Sequence, residues 1–459
     1  MSGLLHVVIL AAGQGTRMRS KLPKVLQPLG NRPLLTHVAE TAFELDPARV
    51  HVIYGHGGEH VQQRVGYLQV NWVEQTQQKG TGHAVQQAMP HIPDAAQVLI
   101  LYGDVPLTTA KTLKSLVRAA GAGVALLTIE LDNPAGYGRI LRDGSRQVTG
   151  IVEQNDASEA QRAIREINTG LLCCPAKALR GWLTRLKNTN TQGEYYLTDI
   201  IALATADGVP VTSVHTDDEF EVMGVNDRAQ LAELERVYQR RQATSLMQRG
   251  LMLKDPARFD LRGSLDFGRD VSIDVNVVIE GEVKLGDDVT IGPYCWLRDC
   301  EIGSGSHILP HSILDRAKLG ERCHVGPFAR LRPGTELADH ARIGNFVEVK
   351  KSTIGAGSKI NHLAYVGDTE VGSEVNIGAG VITCNYDGAN KHQTFIGDGA
   401  FIGSDVQLVA PVRVGAGATI GAGSTITKDA PAEKLTLSRA KQTTLESWQR
   451  PVKKPKKKT

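Results

Sequence analysis

The sequence predicts two fold classes in one chain: an α/β, doubly wound, mainly parallel sheet, followed by a left-handed parallel β-helix of hexapeptide repeats. The β-helix is predicted by a rhythm. From Leu285 an aliphatic residue, often followed by Gly, recurs at Ile291, Leu297, Ile302, Ile308, Leu319, Val325, Leu331, Leu337, Ile343, Val349, Ile354, Ile360, Val366, Val371 and Ile377. After a gap it resumes at Ile396, Ile402, Leu408, Val414, Ile420 and Ile426. A period of about six residues fits one face of a three-sided coil with the aliphatic side chain turned inward, whereas an α-helix needs about 3.6. The Gly that follows relieves crowding at the corner. The sheet is predicted by alternation, because short aliphatic runs trade places with helical patterns over residues 1–225.

In chain order, strands are expected at His6–Leu10, Val50–Tyr54, Val70–Val73, Val98–Tyr102, Val124–Leu131 and Gln147–Val152. Helices are expected at Pro33–Leu45, Gly82–Met89, Thr109–Ala119 and Ser158–Ile164. Residues 226–253 place Leu231, Leu234, Val237, Tyr238 and Leu246 on one stripe between charged residues, which reads as an amphipathic linker helix. The β-helix is expected over 254–436, and an arm with a lysine-rich tail over 437–459. Between Ile382 and Ile396 a polar, turn-rich insertion, Thr383 to Lys391, is expected to project from the coil.

Composition narrows the function. The formal charge is +3, of which the tail Lys453-Lys454-Pro455-Lys456-Lys457-Lys458 supplies five positive charges, leaving the rest at 3 − 5 = −2. A near-neutral body argues against a nucleic-acid partner. The six Cys show neither C-x-x-C pairs nor zinc spacing, which suits reduced thiols in the cytoplasm. The apolar run His6–Leu10 is too short for a secretory signal, and no stretch approaches membrane-spanning length.

Ligands of doubly wound sheets sit beyond the carboxyl ends of the strands. After the first strand comes Leu10-Ala11-Ala12-Gly13-Gln14-Gly15-Thr16-Arg17-Met18. Its small residues let backbone N–H groups approach phosphate, yet it is neither a dinucleotide fingerprint nor a Walker loop. Arg17 and Lys24 add fixed cations. Gln75 and Gly80-Thr81-Gly82-His83 suit base and ribose recognition. Tyr102-Gly103-Asp104 ends a buried strand with a carboxylate of the kind Mg²⁺ takes alongside phosphate and water. Glu153, Asn168-Thr169-Gly170 and Asn226 end later elements and are placed to close the far side. The set suits phosphate chemistry, in which positioning and charge neutralisation by Arg17, Lys24 and Mg²⁺ matter more than acid–base groups. In the second half, His362 falls off the inward register of Ile360 and Val366 and so lies on the coil surface. Neighbouring coils bring Arg332, Glu348, Lys350, Tyr365, Asn376, Asn385 and Tyr386 near it, with Arg332 and Lys350 spaced for a phosphate clamp.

L-A-A-G-x-G-T-R-M with a downstream P-K resembles the sugar-1-phosphate nucleotidyltransferases, whose first domain is Rossmann-like. Joined to a β-helix bearing His362-Leu363-x-Tyr365-x-Gly367-Asp368 and Asn376-Ile377-Gly378-Ala379-Gly380…Cys384-Asn385-Tyr386-Asp387-Gly388, the chain resembles the bacterial bifunctional N-acetylglucosamine-1-phosphate uridylyltransferases/glucosamine-1-phosphate acetyltransferases from Val8 to about Arg450. The resemblance implies that Leu10, Ala11, Ala12, Gly13, Lys24, Gln75, Gly80, Thr81, Tyr102, Gly103 and Asp104 hold the nucleotide and sugar. It implies that Gly138, Glu153 and Asn168 grip the sugar phosphate, and that Asp104 and Asn226 bind Mg²⁺.

For the second half it implies that His362 is the general base, as suits an imidazole. Arg332, Lys350, Tyr365 and Asn376 would bind the amino sugar. Asn385 would hold the amine, with Tyr386 and Ser404 at the oxyanion, and Ala379, Ser404, Ala422 and Arg439 would contact acetyl-CoA. It further implies a homotrimer with acetyl sites between subunits, and supply of UDP-N-acetylglucosamine to peptidoglycan and lipopolysaccharide synthesis from UTP, glucosamine-1-phosphate and acetyl-CoA. Two alternatives stand beside it: the same fold acting on another sugar phosphate or nucleotide, and a non-catalytic scaffold.

Overall fold

The structure is a computed structural model that describes residues 4–13, 15–55 and 58–453, apart from the Thr16 side chain. Gln14 of the glycine-rich loop and the lysine-rich tail beyond Lys453 lie outside the described residues. The chain forms two compact units, Met1–Gln242 and Ala243–Thr459.

The first unit is built on a mixed sheet. Across it the strands run Val211–His215, Val124–Glu130, Glu166–Pro175, Gln97–Tyr102, Leu5–Leu10, Arg49–Gly55 and Asn71–Gln75. Val7, Ile9, Val52, Leu99 and Leu101 fill one face, while Val8, Ile53, Val98 and Ile100 fill the other. Such two-sided burial explains why these strands read as continuous aliphatic runs. The alternation missed the strands Pro28–Leu29, Arg32–Pro33, Gly138–Arg142, Glu166–Pro175 and Val211–His215, and the helices Glu59–Val65, Ala176–Leu183, Ile200–Ala206 and Glu219–Val222. The expected helix at Ser158–Ile164 is a single turn, Glu159–Arg162, capped by Ser158.

One correction bears on the site. Asn168-Thr169-Gly170 does not end an element: it lies in mid-strand, and that strand runs antiparallel to both neighbours. The register shifts between Asn168 and Leu172, a bulge in which Gly170 takes φ +88°. A Cβ on Gly170 would stand 2.5 Å from the Tyr102 ring, so Gly is required for that ring to pack there.

The helix expected over 226–253 is Arg228–Gln248. Leu234 is buried, with Leu231, Val237 and Tyr238 around it, against Met18, Leu29 and Leu34 of the first unit. Ala243 and Leu246 are buried in the core of the second unit.

The second unit is a parallel β-helix in which coils repeat every seventeen or eighteen residues. On one face Ile343 pairs with Ile360, Ile360 with Ile377, Ile377 with Ile402 and Ile402 with Ile420. Leu331, Val349 and Val366 stack on a second face, and Leu337, Ile354, Val371, Ile396 and Val414 on a third. Every aliphatic residue of the predicted rhythm from Leu285 onward is buried.

Gly344 shows why Gly follows the aliphatic: a Cβ there would meet the Asn361 carbonyl oxygen at 1.9 Å. Gly does not hold every tight corner, however. Tyr294, His311, Phe328, Phe346 and Leu363 adopt φ of 45–60° on successive coils. The rings of the first four stack with centroids 4.8–5.3 Å apart, close to the spacing of adjacent strands. Outward charges alternate along another ladder, Lys284, Glu301, Lys318 and Glu336, so each coil meets its opposite.

The insertion is shorter than the sequence implies. Thr383 occupies the inward slot after Val366, 1 % exposed, and its hydroxyl donates to the Gly367 carbonyl at 3.1 Å and accepts from the Gly367 N–H at 2.8 Å. A buried Thr replaces the aliphatic there, and Asn385 is buried as well. The excursion begins at Tyr386, which bridges to Lys391.

Beneath the first sheet His6 and His51 stack at 5.3 Å, and His6 Nδ1 lies 3.0 Å from His51 Nε2. Asn71 donates to His51 Nδ1 at 3.0 Å, so the His51 proton sits on Nε2 and points at His6. Burial, with His6, His91 and Arg49 nearby, lowers the His51 pKa to about 4. The unfolded chain binds this proton at higher pH than the folded one, so stability falls as pH drops from the ordinary imidazole value toward about 4. Urea unfolding of the first unit at pH 4.5 should give a lower midpoint than at pH 7.5, and His51→Asn should flatten that dependence.

Candidate functional sites

Parallel register assembles the first site. Leu10 pairs with Ile53 on one side and Tyr102 on the other, and Gly55 pairs with Gln75. The loops that follow these strands therefore open on one edge. There a cavity of about 620 Å³ is lined by Leu10 to Gly13, Lys24, Gln75, Gly80, Thr81, Tyr102, Asp104, Thr169 and Asn226, among others.

The loop is pinned from several sides. Ala11 N–H donates to the Ile53 carbonyl at 2.8 Å, and Gln78 Nε2 to the Ala12 carbonyl at 2.5 Å. Gln75 is buried, its amide donating to the Gly80 carbonyl at 3.2 Å with His83 Nδ1 at 3.0 Å. Thr81 Oγ1 accepts the Leu197 N–H at 3.0 Å. Gly103 lies under the floor, its N–H donating to the Leu10 carbonyl at 2.9 Å.

Lys24 forms an ion pair with Asp104, and its Nζ is 3.4 Å from Asn226 Oδ1. A carboxylate and an amide oxygen thus converge on one cation. The donor set fits Mg²⁺, which takes one or two carboxylates and completes its shell with phosphate and water. Among the described residues no cluster of three or more His, Cys, Asp or Glu is placed to hold a metal, so nothing there suggests a zinc-type cage.

Glu153, Gly138 and Asn168 form a second patch. Asn168 pairs with Gly138, and a Cβ on Gly138 would lie 3.3 Å from Glu153 Oε2. Burial raises the Glu153 pKa, opposed by the Thr198 hydroxyl, which donates to Oε1 at 2.9 Å. Burial also raises the Tyr102 phenol, reinforced by Glu153 and Asp104, so Tyr102 sits between the two patches. Arg17 is exposed on the turn Thr16–Met18 and does not line the cavity. The sequence reading missed Gln78, Tyr137 and Glu194, which do line it. They sit in loops where no motif marks them.

In the second unit Asn345 pairs with His362. His362 lies two residues past Ile360, and Ala379, Ser404 and Ala422 lie two past Ile377, Ile402 and Ile420, which stack on Ile360 coil by coil. Asp405 N–H donates to the Ala379 carbonyl at 2.7 Å and Gly423 N–H to the Ser404 carbonyl at 2.9 Å, while Gly380 N–H donates to the Leu363 carbonyl at 3.1 Å. Arg439 donates to the Ala422 carbonyl at 3.0 Å. His362, Ser404, Ala422 and Arg439 are all exposed.

Across the next face Arg332 sits one coil from Lys350, its N–H donating to the Val349 carbonyl at 2.9 Å. Each of the two is neutralised: Arg332 donates to Glu348 at 2.8 Å, and Lys350 lies 3.8 Å from Asp368. Asp368 is also gripped by Asn385 Nδ2 at 2.5 Å and lies 3.6 Å from Lys351. Asn385 Nδ2 is 3.4 Å from the Tyr365 hydroxyl. Lys391, missed in the sequence reading, comes back over Lys350, whose charge lowers its pKa. Tyr386 is exposed and donates to the Gly388 carbonyl at 2.6 Å, within its own loop. A separate cavity of about 400 Å³ beside Asp368 is lined by Lys351, Glu370, Lys391, His392 and Gln393 and does not include His362.

A nucleotide-sized cavity at a sheet edge and a hexapeptide coil with an exposed imidazole define a two-site transferase. Residues 7–167 match the MobA-like NTP transferase domain, and residues 393–428 match the bacterial transferase hexapeptide (six repeats). Over nearly its whole length the chain is similar to the bifunctional protein GlmU of Alkalilimnicola ehrlichii, at 58% identity over 99% of this chain and 98% of that one. It is likewise similar to that of Azoarcus sp., at 59% over 98% of this chain and 100% of that one, and to that of Ralstonia nicotianae, at 58% over 98% and 100%. The chain belongs to the bifunctional GlmU family. It is accordingly a uridylyltransferase and acetyltransferase of UDP-N-acetylglucosamine synthesis, and the scaffold alternative falls away.

Gly80 takes φ +104°, and a Cβ there would stand 2.7 Å from the Tyr195 carbonyl oxygen. Gly80→Ala should displace the loop that lines the cavity and lower uridylyl transfer by about 10²-fold. Acetyl transfer measured on the same preparation should be unchanged.

Proposed function

We propose that the chain acetylates glucosamine-1-phosphate on its second unit and uridylylates the product on its first. The observation that supports the reading is the exposed His362, two residues past Ile360, with the small residues Ala379, Ser404 and Ala422 at the corresponding places two past Ile377, Ile402 and Ile420, a corner along which a pantetheine arm can lie.

In the first reaction the sugar amine attacks the thioester carbon of acetyl-CoA. The C–N bond forms, the C–S bond breaks, and His362 takes the amine proton and returns it to the departing sulfur. Asn385, fixed by Asp368, directs the amine, while Tyr386 and Ser404 face the oxyanion. Arg332, Lys350 and Lys391 hold the phosphate, with Tyr365 and Asn376 on the sugar. Arg439 holds the far end of the CoA.

In the second reaction a phosphate oxygen of N-acetylglucosamine-1-phosphate attacks the α-phosphorus of UTP, the bond to the β-phosphate breaks, and pyrophosphate leaves. The loop Leu10–Gly13 and Lys24 hold the triphosphate, Gln75, Gly80 and Thr81 the uridine, and Gly138, Glu153 and Asn168 the sugar. Arg17, exposed, would serve only by folding over a bound triphosphate. Asp104 and Asn226 would hold Mg²⁺, which when bound offsets charge on the phosphates.

A thioester lying on an exposed corner leaves one side in water, so we place a second copy over it, in a homotrimer assembled through the β-helix. Among the described residues no helix is long and apolar enough to cross a membrane, and all six Cys are free. Both suit a cytoplasmic enzyme.

His362→Ala should lower acetyl transfer by roughly 10²–10⁴-fold and leave uridylyl transfer intact. Equal loss of both would overturn the division. Asp104→Ala should do the reverse, and EDTA should stop pyrophosphate release from UTP while thiol release from acetyl-CoA continues.

A further inference from the structure

His362 can act as a base only if Nε2 is bare, which requires the ring proton to sit on Nδ1. The side chain that meets Nδ1 is Asn345, whose Oδ1 lies 3.0 Å away. Among the described residues this is the one side-chain hydrogen bond the imidazole makes. It is a product of the coil: Asn345 pairs directly with His362, at the end of the strand Arg342–Asn345. Gly344, beside it, admits no side chain without displacing Asn361, so the approach of the two coils is fixed.

We propose that Asn345 is a positioning residue for acetyl transfer: its amide oxygen accepts the Nδ1 proton, sets the His362 tautomer and aims Nε2 at the amine. This inference rests on His362 being the base.

The chemistry of an amide suits the task. A carboxylate at this place would also accept from Nδ1, but its charge would stabilise the imidazolium and make the base harder to regenerate. The other charged and titratable groups near the ring by register are Arg342 and Lys359, three residues back on the paired strands, and Glu348 and Tyr365 across the corner. None of these bonds to the imidazole. Asn345 acts through the imidazole on this proposal, so its effect should appear in turnover and not in binding.

The test is a comparison of Asn345→Ala, Asn345→Asp and His362→Ala in the full-length enzyme, following thiol release from acetyl-CoA across pH 5.5–9, with far-UV circular dichroism and urea unfolding as the checks on folding. Asn345→Ala should lower kcat by about 10–100-fold, with KM for both substrates within about threefold. Asn345→Asp should move the acidic limb of the kcat/KM profile upward by about one pH unit and restore turnover at high pH. A residue that merely braced the coil would lower kcat, raise KM and leave the profile in place. Asn345→Ala with wild-type kcat, or Asn345→Asp with a wild-type profile, would overturn the proposal while His362→Ala stays inactive. Acetyl transfer surviving in His362→Ala would instead remove the base itself, and this inference with it.

Discussion

In both units, parallel strands hydrogen-bond in a fixed register, and that alignment decides which distant residues meet. In the first unit, Leu10 stands between Ile53 and Tyr102, so the glycine-rich loop and Asp104 emerge side by side although they are far apart in sequence. In the second unit the same constraint acts coil on coil: it pairs Asn345 with His362, and it stacks Ile360, Ile377, Ile402 and Ile420, two residues before His362, Ala379, Ser404 and Ala422. A slip of one residue would turn Ile360 and Val366 outward, because successive side chains point to opposite faces. The aliphatic core forbids that slip.

Both sites hold their charges by pairing them before any substrate arrives. Lys24 rests on Asp104 and Asn226, Arg332 on Glu348, and Lys350 on Asp368. A partly buried ion left alone would be costly, so each cation has a carboxylate partner. On the proposed function, phosphate entry would exchange partners, the lysine or arginine turning from a protein carboxylate toward the ligand. Asp368 differs, since it is held by Asn385 as well and belongs to the frame that keeps Asn385 in place.

Legibility differed by element. Every aliphatic residue of the rhythm read from Leu285 onward is inward, because a residue's burial there depends on its place in a short local period, although the series passed over Leu314, which is also buried. Asp104 and Lys24, which line the cavity, were legible because each ends a recognisable strand or loop. Asn168 was legible as polar but not as part of a strand, since Asn-Thr-Gly reads locally as a turn; only the packing of Tyr102 against Gly170 explains the bulge. Thr383 broke the rhythm and hid the true start of the excursion, because its hydroxyl is satisfied by neighbouring coils that local sequence does not reveal. Arg17 read as a charge at the phosphate site, yet the turn carrying it leaves it exposed.

The sequence by itself determined the two fold classes, the inward and outward faces of the coil, and the residue types that suit phosphate and acetyl chemistry. These follow from periodicity and from side-chain chemistry, both local properties. Tertiary structure alone decided that Asn345 lies under His362 and that Ser404 is the neighbour of Ala379. Those pairings depend on how many residues each coil takes, seventeen here, eighteen there and twenty-five across the excursion, and that count is settled only when the backbone ladders close.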